Sequence, residues 1–373
     1  MINLNYKNNT KLILYSYFFL LLSYVAIFIL EVIYFLPSAT GDDLWFLKVS
    51  FNICRDNSFV VTNTDVYKHG SEQLKYTTHG WFSLYLQAKL NFNCSLRGLF
   101  LFSFFIKLIT SLFLLLYLNT IKINKIFSIA IILTTLLIQL KLQFRLEPFI
   151  ILLYSMLFYY FEKKKYLKSG FLISLIFFSQ PTLFVIIGLF GFLIYFVEIK
   201  KNFLFLLTGF LFGSFLLLYI YPYTFNGYLL GLWDHRGALS NSQTLLDGGL
   251  NESYFRNVFR YYILVPFYPF SGILILILIF LLIKSKPILA LLLPILFFFG
   301  PNAPSSNYVL ISLIPFFIII YFKISVTKSR SKKLENILFT TILLISLAGF
   351  TQYFSRNILT VFNYSNQFYK TKE

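Results

Sequence analysis

The stretch LILYSYFFLLLSYVAIFILEVIYFL, Leu12 to Leu36, runs directly into PSATGDDLWFLK, Pro37 to Lys48. With one charge, Glu31, the first segment exceeds the ~20 apolar residues needed to cross a hydrocarbon core about 30 Å thick. Lys7 and Lys11 precede it, as they would a secretory signal. A signal's apolar region, however, is only about 7–15 residues long and leads to a small-x-small cleavage site. No such site follows here, so the segment reads as an uncleaved first membrane span. Where it ends, two adjacent carboxylates appear, Asp42 and Asp43, in a chain with 14 acidic residues among 373.

The rest of the chain repeats the pattern. Hydrophobic residues make up 58% and charged residues 12%, against roughly 45–50% and about 25% in soluble domains. Lipid is therefore the solvent for most of the chain. Apolar segments fall near 12–36, 98–120, 126–143, 147–161, 169–180, 182–198, 203–222, 260–283, 287–300, 307–323 and 335–352. The expectation is an all-α polytopic membrane protein of about eleven transmembrane helices, forming one domain over residues 1–373. The pair of segments meeting at SQPT, Ser179 to Thr182, is the shortest.

Charge sets the orientation. With the amino terminus inside, alternate connections carry KINK (Lys122 to Lys125), EKKKYLK (Glu162 to Lys168), EIKK (Glu198 to Lys201), KSK (Lys284 to Lys286) and KISVTKSRSKK (Lys323 to Lys333). With the amino-terminal tail, that side holds 17 Lys/Arg and three acids, whereas the other holds 15 and 11. Short basic loops stay cytoplasmic. The net charge of +18 is thus topological, and a nucleic-acid partner is not required.

Two connections on the opposite side exceed ordinary loop length: Pro37 to about Arg97, and about Tyr221 to Phe259. The stretches HGWFSLYLQAKL, His79 to Leu90, and GYLLGLWDHRG, Gly227 to Gly237, are amphipathic, bear Trp, and read as interfacial helices. Cys54 and Cys94 share the first loop and match no metal motif. They read equally as free thiols or as a disulfide in an oxidising compartment. No soluble domain is expected at either end.

Four groups of residues could carry chemistry. Neighbouring carboxylates raise each other's pKa, which suits Asp42 to general-base work with Asp43 orienting an acceptor or holding a divalent metal. The same pair also fits a turn in which Asp42 caps the next helix. In QFRLEP, Gln143 to Pro148, Arg145 and Glu147 sit between apolar segments, where charges face a cavity or each other; Arg145 offers a planar fork for a phosphate. Trp233, Asp234, His235 and Arg236 could line a sugar site. Glu31 either faces the same cavity or snorkels outward. GPNAPSSNYVLISLIP, Gly300 to Pro315, reads chiefly as a turn. The chain contains no P-loop, GxGxxG with its acidic partner, HExxH, GxSxG or CxxC pair, and so no nucleotide module.

The order of these features resembles the GT-C superfamily of polytopic glycosyltransferases, in the branch of protein O-mannosyltransferases, aminoarabinose transferases and lipopolysaccharide-modifying relatives. In that family the first span leads to an outward loop opening on an acidic pair and an aromatic, here Asp42-Asp43-Leu44-Trp45-Phe46. The loop returns through His-Pro-Pro-Leu; here His79 is followed by Gly80 and Trp81. Arg145-Leu146-Glu147 matches an Arg-x-acid turn. NYVLISLIP, from Asn307 and Tyr308 to Pro315, echoes a late Arg-Tyr-x-x-x-x-x-Pro, with Asn307 in the place of the Arg. No carboxy-terminal soluble domain like that of some relatives is expected.

The resemblance spans about residues 12–320. It implies inverting transfer from a polyprenyl-phosphate-linked sugar to a lipid, glycan or protein acceptor. Asp42 would be the base and Asp43 its partner or a metal ligand. Arg145 would steady the departing phosphate, while Glu147 and His79 position it, the acceptor or the sugar. No cofactor is implied beyond that open question of a metal. The compact chain and its composition point to a bacterial inner membrane, with the site facing the periplasm or exterior. An O-antigen polymerase or ligase, a flippase or carrier of lipid-linked saccharides, and a non-enzymatic assembly factor are the alternatives.

Overall fold

The computed structural model describes residues 10–36, 42–57, 60–62, 73–75, 81–143, 145–221, 278, 280–284, 312–321, 323, 344 and 347–361. In α2 the described side chains start at Phe46. The protein is mostly helical. Its elements are α1 (Thr10–Phe28) continued by a π-helical turn (Ile29–Ile33), α2 (Asp42–Asp56), β1 (Val60–Thr62), β2 (Gln73–Lys75), α3 (Trp81–Lys89), α4 (Leu96–Thr120), α5 (Lys125–Lys141), α6 (Glu147–Glu162), α7 (Tyr166–Ser179), α8 (Pro181–Lys201) and α9 (Phe203–Ile220). The Ser312–Tyr321 helix follows further along the chain. Each of the seven apolar segments expected before residue 223 coincides with a helix.

Among the described residues, three helices are long and apolar enough to cross a membrane: Ile13–Ile33, Leu96–Thr120 and Phe203–Ile220. A fourth qualifies if Leu183–Leu189 and Ile194–Lys201, bent by 89°, form one span. Gly191, a weak helix former, falls in the break between them, and Tyr195 just beyond it leaves helical geometry at φ −109°, ψ 22°. The outer face of α9 is an almost unbroken apolar surface, with Phe215 75% and Tyr219 83% exposed. Water would disfavour such a patch and lipid would not. These helices mark a membrane protein.

The all-α expectation needs one amendment. Between α2 and α3, β1 and β2 pair antiparallel, with Val60 opposite Lys75 and Thr62 opposite Gln73. The β-branched run Val60-Val61-Thr62 favours the extended chain, and a segment outside the apolar spans is not obliged to be helical.

The short connections are built from capping residues. Ser95 Oγ accepts from Gly98 N at 3.0 Å to start α4, and Asn124 Oδ1 accepts from Ile126 N at 2.9 Å to start α5. Each satisfies an amide that the helix leaves without a partner. Lys122 and Lys164 take left-handed φ values of 56° and 55° just past α4 and α6, the position where a helix ends in a left-handed residue. At SQPT, Gln180 is extended and Pro181 opens α8, so these are two helices.

Packing shows which connections share an end. Trp81 of α3 meets Phe178 of α7 at 6.2 Å and Tyr221 beyond α9 at 4.9 Å. Phe82 meets Phe149 of α6 at 6.0 Å. The ends of α7 and α9 and the start of α6 therefore gather under α2 and α3. At the opposite end, Glu162 pairs with Lys323, whose ammonium lies 6.0 Å from the Tyr195 ring. The described basic connections collect there.

The tightest crossing is between α7 and α9. A Cβ on Gly170 would collide with the carbonyl of Leu206, and one on Gly209 with that of Leu167. A Cβ on Gly213 would meet the side chains of Ser174 and Phe171. The spacings Gly170-x-x-x-Ser174 and Gly209-x-x-x-Gly213 form the small-residue seam that lets membrane helices approach closely.

Candidate active site

The site is built around the turn between α5 and α6. Gln139, in the last turn of α5, donates from Nε2 to Thr110 Oγ1 of α4 at 2.9 Å and to the Pro148 carbonyl at 3.1 Å. This ties the turn to α4 and to the start of α6. Arg145 N donates to Leu142 O at 2.8 Å, closing the turn, and Glu147 and Pro148 open α6. An acid and a proline suit the first turn of a helix, where the dipole is positive and an amide is unneeded.

Arg145 and Glu147 are both buried, and Arg145 Nε approaches Glu147 Oε2 to 3.4 Å. The guanidinium carbon also lies 5.3 Å from the Phe46 ring centroid, a cation–π distance. Phe46 belongs to α2, which starts at Asp42. Asp42 and Asp43 thus occupy the first turn of a helix whose next turn touches Arg145.

Beside Arg145 is a cavity of about 20 Å³ lined by Ser83, Gln87, Ser103, Gln143, Arg145 and Phe149, among others. That volume holds one water-sized group. Gln143 is 5% exposed, and neither its amide nitrogen nor its amide oxygen has a hydrogen-bond partner. Ser83 Oγ is likewise buried and unpartnered. Unpaired buried polar atoms cost about 1–3 kcal/mol each, so the cavity suits a polar group that would satisfy them.

Glu31 does not snorkel. It lies in the π-helical turn, fully buried, and takes two hydrogen bonds from Lys107 Nζ, 2.8 Å to Oε1 and 2.9 Å to Oε2. Lys107 also donates to Ser103 Oγ at 2.9 Å. An extra residue in a helix turn is often found at a functional site, and here it sits where the acid meets its partner.

The α3 helix is more enclosed than an interfacial helix. Trp81, Phe82, Ser83, Leu84, Gln87 and Ala88 are all buried, because α2, α4 and α7 surround it. Cys54 and Cys94 form a disulfide, with Cα atoms 5.7 Å apart, which fastens the end of α2 to the turn before α4. His79, Trp233, His235, Arg236, Asn307 and Tyr308 lie outside the described residues, as does the second long loop. Among the described residues no three His, Cys, Asp or Glu side chains gather as a metal site.

Sequence reading missed Lys107, Ser103, Ser83, Gln87 and the role of Gln143. Lys107 carried a signal: it is the sole charge in the segment 98–120, and a buried charge needs a partner. The polar residues of α3 carried none, since nothing local distinguishes Ser83 from Ser95. No family model matches the chain, and no curated protein or solved structure matches it.

Proposed function

We propose that this is a membrane glycosyltransferase that moves a sugar from a polyprenyl-phosphate-linked donor to a lipid, glycan or protein acceptor at the non-cytoplasmic face. The observation that carries the reading is the meeting of α2, which begins with Asp42-Asp43, with Arg145 over a polar cavity at one end of a helical bundle. The disulfide supports the side: Cys54–Cys94 belongs in an oxidising compartment, at the end away from the described basic loops. About eleven spans with the amino terminus inside accommodate this arrangement.

In this reading Asp42 takes the proton from the acceptor hydroxyl as its oxygen attacks the anomeric carbon. The bond to the phosphate oxygen breaks with inversion, and the negative charge gathers on the departing polyprenyl phosphate. Arg145, already oriented by Glu147 and Phe46, is the donor for that charge, and fixed donors aimed at developing charge are a large part of catalysis. Asp43, His79, Glu147 and the loop residues Trp233, His235, Arg236, Asn307 and Tyr308 are assigned to the sugar, the acceptor or the positioning of both. The lipid carries the donor to the site, so no nucleotide module is needed. A bacterial inner membrane, with the site towards the periplasm, is the setting proposed.

Positioned general bases contribute about 10²–10⁴-fold. Asp42→Asn is therefore expected to reduce transfer from radiolabelled polyprenyl-phosphate sugars at least a hundredfold, with folded protein unchanged; normal turnover would remove Asp42 as base. A second reading, a flippase for lipid-linked saccharides, draws on Lys107, which lies near the middle of α4. Movement of a fluorescent polyprenyl-phosphate saccharide across vesicles holding the purified protein, without sugar transfer, would favour it.

A further inference from the structure

The cavity's hydrogen-bonding character follows from counting protons. A lysine ammonium has three donors and no acceptor. Lys107 spends all three, two on Glu31 and one on Ser103 Oγ. Ser103 must therefore accept through a lone pair, and its own hydrogen remains to be placed. Its neighbours on α4 turn theirs backwards: Thr110 Oγ1 donates to the Ile106 carbonyl at 2.7 Å and Ser111 Oγ to the Lys107 carbonyl at 3.0 Å. Ser103 makes no such bond, and it lines the cavity. Its hydroxyl is thereby fixed as a donor towards that space.

Around the same opening stand the Ser83 hydroxyl and the Gln143 amide, both buried and unpartnered, and the Arg145 guanidinium. A space for one oxygen-sized group, with hydroxyl, amide N–H and guanidinium donors from α3, α4 and the α5–α6 turn beside it, fits a negatively charged oxygen. We infer that the cavity seats a non-bridging phosphate oxygen of a lipid phosphate, with Ser103 as a binding residue and Glu31 and Lys107 as positioning residues that hold Ser103 as a donor. The inference rests on the transferase reading for the lipid, while the donor geometry stands without it.

The Glu31–Lys107 pair is neutral overall, so replacing both partners separates positioning from charge. The detergent-solubilised full chain is titrated with geranylgeranyl phosphate, geranylgeraniol and inorganic phosphate, using wild type, Ser103→Ala and the double variant Glu31→Gln/Lys107→Met. Wild type is expected to bind the lipid phosphate at least tenfold more tightly than the alcohol, because hydrogen bonds to a charged group are the strong ones. Ser103→Ala should erase about tenfold of that preference and leave the alcohol's affinity unaltered. The double variant should do the same through Ser103, an effect that loss of packing alone would not produce in the ratio. Should the double variant fail to fold, Ser103→Ala decides.

Equal binding of phosphate and alcohol by wild type, or an unchanged ratio in Ser103→Ala, would overturn the inference. Inorganic phosphate binding as tightly as the lipid phosphate would keep the oxyanion site and assign it to soluble phosphate. Ser103-dependent binding without sugar transfer would sink the transferase reading and leave the oxyanion site. Transfer with an unchanged ratio in Ser103→Ala would do the reverse.

Discussion

Arg145 and Lys107 are the two buried cations on which the structure around the cavity turns, and they differ in what they can tolerate. Lys107 has a single carboxylate partner, so Lys107→Met leaves Glu31 buried with no opposite charge. Breaking a buried pair this way costs about 3–5 kcal/mol, while replacing both members is far milder. Lys107→Met is expected to lower the melting temperature in detergent markedly, and Glu31→Gln/Lys107→Met to recover most of the loss; no recovery would mean that the pair is not the reason for the fall. Arg145→Ala should weaken use of the polyprenyl-phosphate donor more than of the acceptor, read as separate KM values in the transfer assay. The reverse pattern would move Arg145 to the acceptor side. The sequence made Arg145 and Glu147 visible because two charges between apolar runs must be accounted for. It hid Gln143, Ser83 and Ser103, since a buried polar side chain without a partner is a property of packing and not of local pattern.

At the scale of elements, the helices were legible and their fittings were not. Segments such as 98–120 and 203–222 announce themselves by length and apolarity, and SQPT by its proline. The α7–α9 seam needed the structure, because glycines on separate helices face each other only once both are placed. Gly170→Leu and Gly209→Leu should each destabilise by at least ~1–3 kcal/mol, the usual cost of overpacking, whereas Gly188→Leu, with nothing within 4 Å of its Cβ position, should be tolerated. Equal melting temperatures for all three would contradict the seam. The amphipathic pattern of α3 fits a helix lying on the membrane surface; in the fold its polar side lines a cavity. Periodicity reports that one face differs from the other and leaves open whether the polar face meets water or a buried site. Spacing alone likewise leaves the disulfide undecided, because whether two cysteines in one loop meet depends on how the loop folds. Its loop of 40 residues makes it worth about 3–4 kcal/mol, so Cys54→Ser/Cys94→Ser should melt well below the wild type, and no change would show that α2 is held by packing alone.

For the whole molecule, charge asymmetry and helix packing support the same arrangement by separate routes. The sequence separates basic loops from acidic ones, and the fold gathers α2, α3, the α5–α6 turn and the disulfide at one end while Glu162 and Lys323 pair at the other. In the proposed orientation, an Asn57→Cys variant should react with a membrane-impermeant maleimide in intact cells, and Lys164→Cys only after permeabilisation. The native cysteines, being bonded to each other, add no background. Swapped reactivities would invert the topology and move the candidate site to the cytoplasm. Sugar transfer dependent on Asp42 is read by mass spectrometry of envelope glycans. Cells would carry the wild-type chain, no chain, or Asp42→Asn at equal folded abundance. One pentose or hexose unit is expected to be lost both without the chain and with Asp42→Asn, and to be restored by wild type. Identical glycans in all three, or an Asp42→Asn profile matching wild type, would contradict Asp42-dependent transfer.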